Sequence, residues 1–369
     1  MYFEKNTRVV KKDSDCLVNP KLNEKSPIVE IFSAIVEGKD VTKYNKTVDK
    51  VMDKVKELAQ KSMAGDFNAK AEFNTIQRYV IEPHLTKVIQ LFNFMGTFKD
   101  IPYNEQPRVK TYKHESIRSN FQATHGDVPF AVTNWEEYPI NTKTISSGYA
   151  VDYREVASGN LDKVSEGMEQ VKVHMMNQAM NYVIYVLYSK IKNATGVKYY
   201  NENAGLTKTG VDDIIKKVRR FGRPALMGDY AVVSQLNDFA GFKADPTDTK
   251  AVLLSEAVME EIRKTGLLTT YNGAPVVELP NEYDVNRLNG TGDNFETYLP
   301  EGLLFVVPQG QVAPLQIFRR GGLTSMTAQD IISGTEITRF DMEIGADVPD
   351  SRVHEIGLCV DSSLSVPTL

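Results

Sequence analysis

Between Leu91 and Leu161 the chain contains no leucine. Within 105–148 the branched aliphatic residues are only Val109, Ile117, Val128, Val132, Ile140 and Ile145; aromatics, Thr, Ser and Asn fill the rest, with Gly126 and Pro129 near the middle. Burial of apolar surface is the main favourable term in folding, so a stretch this poor in aliphatic side chains cannot form a core of its own. From Ile145 the alternation Ile145, Ser147, Tyr149, Val151, Tyr153 is that of a strand. The pattern predicts a long two-stranded ribbon over 105–150 with its tip within 120–135. Such a ribbon is marginal in isolation, and a structureless insert of this length is uncommon in a compact domain. Phe121, Phe130, Trp135 and Tyr138 argue against disorder. The ribbon is therefore expected to lie against another subunit, with these four rings as candidate assembly contacts.

The pattern then changes abruptly. From Asn160 to Lys192 there is no proline, and Leu161, Val164, Met168, Val171, Met175, Tyr182 and Val186 recur at a 3–4 rhythm. This predicts one helix of about 50 Å, several times the usual length. Its first half is amphipathic, whereas NYVIYVLY is apolar nearly all round and should be buried on both sides.

Residues 1–25 are polar and aperiodic. Ser26-Pro27 reads as an N-cap and first helical residue, ahead of Ile28, Val29, Ile31, Phe32 and Ile35, with Gly38 as the stop. A helix is expected at 46–64, where Val48, Val51, Val55 and Leu58 form a narrow apolar stripe. That stripe suits a helix docked on a partner surface, so these four are also candidate assembly contacts. Residues 69–95 read as two helical stretches divided by Pro83. Residues 201–319 read as a compact α/β unit: a helix at 211–221, a strand PALMGDYAVV, a helix at 251–264, strands at TYNGAPVVELP and GLLFVVPQ, and a surface loop over 281–297. After Pro314 come short strands, LQIFRR and then ITRFDMEIGADV, in which Ile337, Arg339 and Asp341 alternate against Thr338, Phe340 and Met342.

Composition excludes several function classes. The net charge of −5 argues against sequence-independent nucleic-acid binding by phosphate neutralisation. Residues 1–65 hold 13 Lys/Arg against 10 Asp/Glu, leaving −8 for the remainder, a mild asymmetry. Cys16 and Cys359, near opposite ends, read as two free thiols. The longest strongly apolar run, Tyr182 to Tyr188, is too short to span a bilayer. MYFEKNTRVVKK has no apolar core of a secretory signal.

Chemistry-bearing motifs are missing. The sequence holds no GxxxxGK[ST], GxSxG, HExxH or CxxC. GTGDNF at 290–295 is half a dinucleotide fingerprint, without its third glycine or a preceding strong strand. His114 and His125, near Asp127, are too few to hold a metal. His174 reads as a partly buried helix residue, Glu166 and Glu169 as a solvated helix face, and Arg319-Arg320 as strand-end salt-bridge formers. No catalytic, cofactor or metal site is assigned.

The order of segments is the telling feature: helical arm, leucine-poor ribbon, long helix, α/β unit, return strands. With the stretches PINTKTISSGYAVDYREV, PALMGDYAVVSQL, YNGAPVVELP and LPEGLLFVVPQGQVAPLQIF, this order resembles the major capsid proteins of tailed bacteriophages, whose fold is shared with encapsulins. The resemblance covers about residues 67–369. It implies an α+β fold with an N-terminal helical arm (1–66), a helical segment of the peripheral P-domain (67–104), an extended E-loop ribbon (105–150), a P-domain spine helix (151–200), a compact α/β axial A-domain (201–319) and P-domain return strands (320–369). It further implies a non-enzymatic shell protein that assembles in the host cytoplasm as hexamers and pentamers of a virion head. Double-stranded DNA would lie inside, bound without sequence specificity. Scaffolding, portal and decoration proteins would be its partners, with no membrane and no cofactor. An encapsulin-type compartment is the alternative, and a two-domain enzyme a more distant one. Some family members form an isopeptide bond from an E-loop lysine; Lys110, Lys113 and Lys143 stand in no matching context, so no cross-link is expected.

Overall fold

The computed structural model describes residues 22, 26–39, 46–91, 96–114, 121, 133–158, 162–239, 260, 262, 264–290, 292–309, 314–330 and 332–367. Three helices come first: α1 (Pro27–Val36), α2 (Lys46–Met63) and α3 (Phe67–Leu91). The expectation that the 46–64 helix docks on a partner surface is corrected. Val29, Ile31, Phe32 and Val36 of α1 and Val51, Val55 and Leu58 of α2 are buried in the chain's own main core. Residues 1–21 lie outside the described residues. Nor does Pro83 divide the next segment, because α3 runs straight through it. Ile76, Val80, Ile81 and Leu85 are buried on both sides of the proline, and a continuous buried face outweighs the roughly 3 kcal/mol cost of an interior proline.

Two sheets follow. A four-stranded sheet has the order β1 (Gly96–Ile101), β12 (Leu315–Asp330), β13 (Thr335–Asp347), β4 (Lys143–Asp152); β1 and β12 are parallel and the other pairs antiparallel. The ribbon proper is β2 (Arg108–His114) paired antiparallel with β3 (Thr133–Pro139), so β4, expected to continue it, instead joins the long β12–β13 hairpin. The expected ribbon tip, including Phe130, lies outside the described residues apart from Phe121. Where short return strands were expected, β12 is one strand of 16 residues, interrupted by a bulge between Arg320 and Leu323. Gly321 and Gly322 take φ values of +75° and +72° there, conformations available at little cost only to glycine.

The spine helix α5 (Asp162–Lys192) is 31 residues long, about 46 Å. It follows the short helix α4 (Tyr153–Ser158). None of Tyr182 to Tyr188 is exposed, as the all-round apolar pattern requires. One side of α5 packs on α1, α3 and the four-stranded sheet. Its C-terminal half also meets the second sheet through Val183, Ile184, Leu187 and Ile191, in one core with Phe305, Val307, Leu358 and Val360.

That second sheet has six strands in the order β5 (Tyr199–Asn203), β14 (Gly357–Asp361), β11 (Leu303–Gln309), β6 (Arg223–Gly228), β8 (Ala274–Glu278), β7 (Thr270–Tyr271). Helix α6 (Lys208–Val218) covers its other face with Val211, Ile214, Ile215 and Val218. Here β14 corrects the expectation that 320–369 returns wholly to the first unit. All five of its residues are buried, and it sits between β5 and β11 in the second. The expected strand over PALMGDYAVV stops at Gly228: Asp229 Oδ1 accepts from Ala231 N at 2.7 Å and starts α7 (Tyr230–Val233), followed by α8 (Gln235–Phe239). The helix expected at 251–264 falls mostly outside the described residues. Finally, the loop expected over 281–297 is a hairpin, β9 (Tyr283–Leu288) with β10 (Phe295–Thr297). Its polar composition reflects a turn in which Asn289 Oδ1 accepts from the Gly292 and Asp293 amides.

Candidate assembly surfaces

The root of the ribbon is fixed to its own protomer. Val109, Ile140 and Phe318 form a small buried cluster, with Ile101 and Tyr138 packed against it. The Tyr138 hydroxyl donates to Asp347 Oδ2 at 2.7 Å, while Lys190 Nζ, from the last turn of the spine, lies 3.0 Å from Asp347 Oδ1. Burial, then the hydrogen bond to the Asp347 carboxylate, hold the Tyr138 phenol far above its ordinary pKa. Thr111 and Ser351 hydroxyls meet at 2.8 Å. Tyr138, half-buried, is thus anchored within its own protomer.

Beyond the root the ribbon carries its rings outward. Trp135 is 52% exposed, with Lys110 Nζ 4.8 Å from the ring centroid. Glu137 sits 3.7 Å from both Arg108 and Lys110. Phe121 is fully exposed. On α2, Val51, Val55 and Leu58 are buried in the protomer and Val48 is half-buried against the same core. These three buried positions are unavailable to a second copy. The narrow stripe is a docking face, and what it docks on is the chain's own α3 and α4.

The remaining chemistry-bearing candidates resolve into structural contacts. Arg319 Nε pairs with Asp100 at 2.6 Å and its Nη1 lies 3.5 Å from Glu82; Arg320 pairs with Glu343 at 3.3 Å. His174, expected to be partly buried, is exposed and meets the Tyr298 ring edge-on at 5.5 Å. Glu166 and Glu169 are both exposed on the spine. GTGDNF forms the β9–β10 turn and the start of β10. His125 lies outside the described residues, as does the His114 side chain. Among the described residues no group of three or more His, Cys, Asp and Glu is placed to hold a metal, and no helix is long and apolar enough to cross a membrane.

A profile of the family described as "SPbeta prophage-derived putative capsid protein YonB" matches residues 10–359. That span is nearly the whole chain. The chain belongs to this capsid-protein family. No curated protein matches it. Solved structures that superpose on it include the capsid of cyanophage P-SCSP1u, at 12% identity over 73% of this chain and 87% of that one, with a TM-score of 0.48. A virus-like particle from Pyrococcus furiosus shares 12% identity over 76% and 97%, with a TM-score of 0.42. The SrpI encapsulin of Synechococcus elongatus shares 11% over 76% and 88%, with a TM-score of 0.45.

The capsid protein has a second outward surface that the sequence reading did not single out. The outer face of the four-stranded sheet presents Ser146, Gly148 and Ala150 on β4, Ile337 and Arg339 on β13, and Met326 and Ala328 on β12, all exposed. Ile332, in the hairpin turn, is 99% exposed. The signal was present in the alternation of Ile337, Arg339 and Asp341 against buried Thr338, Phe340 and Met342.

Proposed function

We propose that this chain is the major capsid protein of a tailed phage, and that its copies assemble as hexamers and pentamers into a closed head shell around double-stranded DNA. The observation that carries this reading is the ribbon. Its root is fixed to its own protomer, Val109 against Phe318 of β12, Tyr138 on Asp347 and Thr111 on Ser351, while Trp135 and Phe121 project from the protomer and add nothing to its main core. An element anchored at one end and apolar at the other gains stability only against a neighbour. The outer face of the four-stranded sheet, which sets Met326, Ala328, Ile337, Gly148 and Ala150 beside Ser146 and Arg339, is the complementary surface on the next copy. Closed symmetric assemblies supply such contacts to every subunit at once, and many modest contacts then add up through multivalency.

Assembly takes place in the host cytoplasm with separate scaffolding and portal proteins, and the chain itself performs no catalysis. The mildly acidic net charge suits a container whose contents slide during packing, since a strongly basic lumen would hold DNA fast. The ribbon contact is tested by placing a photo-crosslinking amino acid at position 135 and irradiating sedimented assemblies. The expected product is a ladder of linked copies, with attachment on residues of β12, β13 or β4. Crosslinks confined within single chains would contradict the reading.

A further inference from the structure

We propose that the cleft between the spine helix and the β9–β10 hairpin is a docking groove for an extended peptide bearing basic side chains, supplied by a second protein. The inference stands apart from the assembly reading and uses different residues. Two adjoining hollows of about 430 and 260 Å³ share Asn181, Arg287 and Glu296 to Tyr298 in their walls.

One wall is a polar stripe on the spine: His174, Asn177, Gln178 and Asn181. These positions are three and four apart and so share one helix face. Asn177 is only 8% exposed, yet its carboxamide makes no hydrogen bond among the described residues, although it borders the cleft. An amide that opens only onto the cleft takes its partners there, from water or from an occupant. Asn177 and Asn181 are separated by about 6 Å along the helix axis. Two residues of an extended peptide span about 6.6 Å. Each carboxamide offers one acceptor and two donors, so the pair matches successive outward-facing amide groups of a strand.

The opposite wall is the hairpin. All eight residues from Asn294 to Glu301 line the larger hollow, with Arg287 of β9 and Asn289 and Gly290 of the turn. Strand β10 pairs only with β9 among the described residues, which leaves its other edge without a partner strand. The hairpin is also incomplete energetically: Val285, Leu288 and Phe295 are exposed, and a two-stranded hairpin is marginal on its own. A third strand added along β10 would complete it, a recurring mode of peptide recognition.

Charge selects the occupant. Asp284, Glu296 and Glu301 line the cleft against a single arginine, Arg287, which lies 3.9 Å from Glu296. The surplus is negative, so lysine or arginine side chains on the incoming strand are favoured, and an acidic peptide is repelled.

The test is fluorescence anisotropy with the full-length protein and labelled octapeptides of alternating lysine and threonine. The expected result is saturable binding by this peptide and none by the glutamate–threonine counterpart. Methylating alternate backbone nitrogens of the probe, which removes donors without changing charge, should weaken binding at least tenfold. The paired substitution Asn177→Ala and Asn181→Ala should do the same while leaving the circular dichroism spectrum and thermal midpoint unchanged. No binding of the basic octapeptide, or equal binding by its methylated form, would overturn the proposal. The methylated probe needs no variant, so the outcome does not depend on how the substitutions fold.

Discussion

Phe32 and Trp135 are both large apolar side chains, and the chain uses them in opposite ways. Phe32 is fully buried among α1–α3, so Phe32→Ala should cost about 3–5 kcal/mol of protomer stability, read as a fall in the urea midpoint. Trp135 is half out in solvent, so Trp135→Ser should change protomer stability by no more than about 0.5 kcal/mol while sharply reducing sedimentable assemblies. A large loss of protomer stability with assembly intact would reverse that assignment. Glu336 behaves differently again. It is 5% exposed on the inward face of β13, and its Oε2 has no hydrogen-bond partner. Burial raises its carboxyl pKa, with Lys70 pulling weakly the other way. The native state therefore holds a proton that the unfolded chain has already released, and stability falls as pH rises from the unfolded carboxyl range through the native value. Glu336→Gln should accordingly raise the melting temperature at pH 8 by more than at pH 5; an equal change at both would show that the carboxyl is ionised in the fold. Cys359 is buried and its thiol is pushed up to about 12 by that burial. It should resist a disulfide reagent at pH 8 until the chain is unfolded, because the thiolate is the reacting form.

At the scale of elements, periodicity decided what could be read. The 31-residue spine and the leucine-poor ribbon declared themselves because long runs of one pattern leave few alternatives. Pro83 and the Gly321-Gly322 pair misled for a shared reason: each is a local breaker overruled by tertiary contacts. Ile81 and Leu85 hold α3 together past the proline, and β13 keeps β12 paired on both sides of the bulge. The destination of β14 was not legible at all, since nothing in GLCVD says which of two sheets it enters. The same limit applied to Val51, Val55 and Leu58, whose spacing marks a buried face without naming what buries it. The ribbon offers the sharpest test at this scale. Replacing residues 114–133 with a short glycine linker leaves the root cluster and the Tyr138–Asp347 bond in place. The shortened chain should keep its cooperative thermal unfolding and lose assembly. Loss of folding would mean that the ribbon stabilises its own protomer.

The whole molecule has a main core, a second core beneath α6 and a small cluster at the ribbon root, with surfaces left over. Helices α1–α3, the spine and both sheets meet in a single cluster, so a protomer can fold alone, as a chain of this length is able to do. What it cannot do alone is cover Trp135, Phe121, Met326 and Ile332. Those exposed groups lie on the ribbon and the long hairpin, and they are the surfaces a shell would seal. Negative-stain electron microscopy of the purified chain, alone and with the proposed scaffolding protein, tests this most directly. The expected result is closed shells tens of nanometres across, and particles filled with a foreign protein cargo instead of DNA would favour an encapsulin-type compartment. A species that stays monomeric at high concentration and with scaffold present would contradict the account.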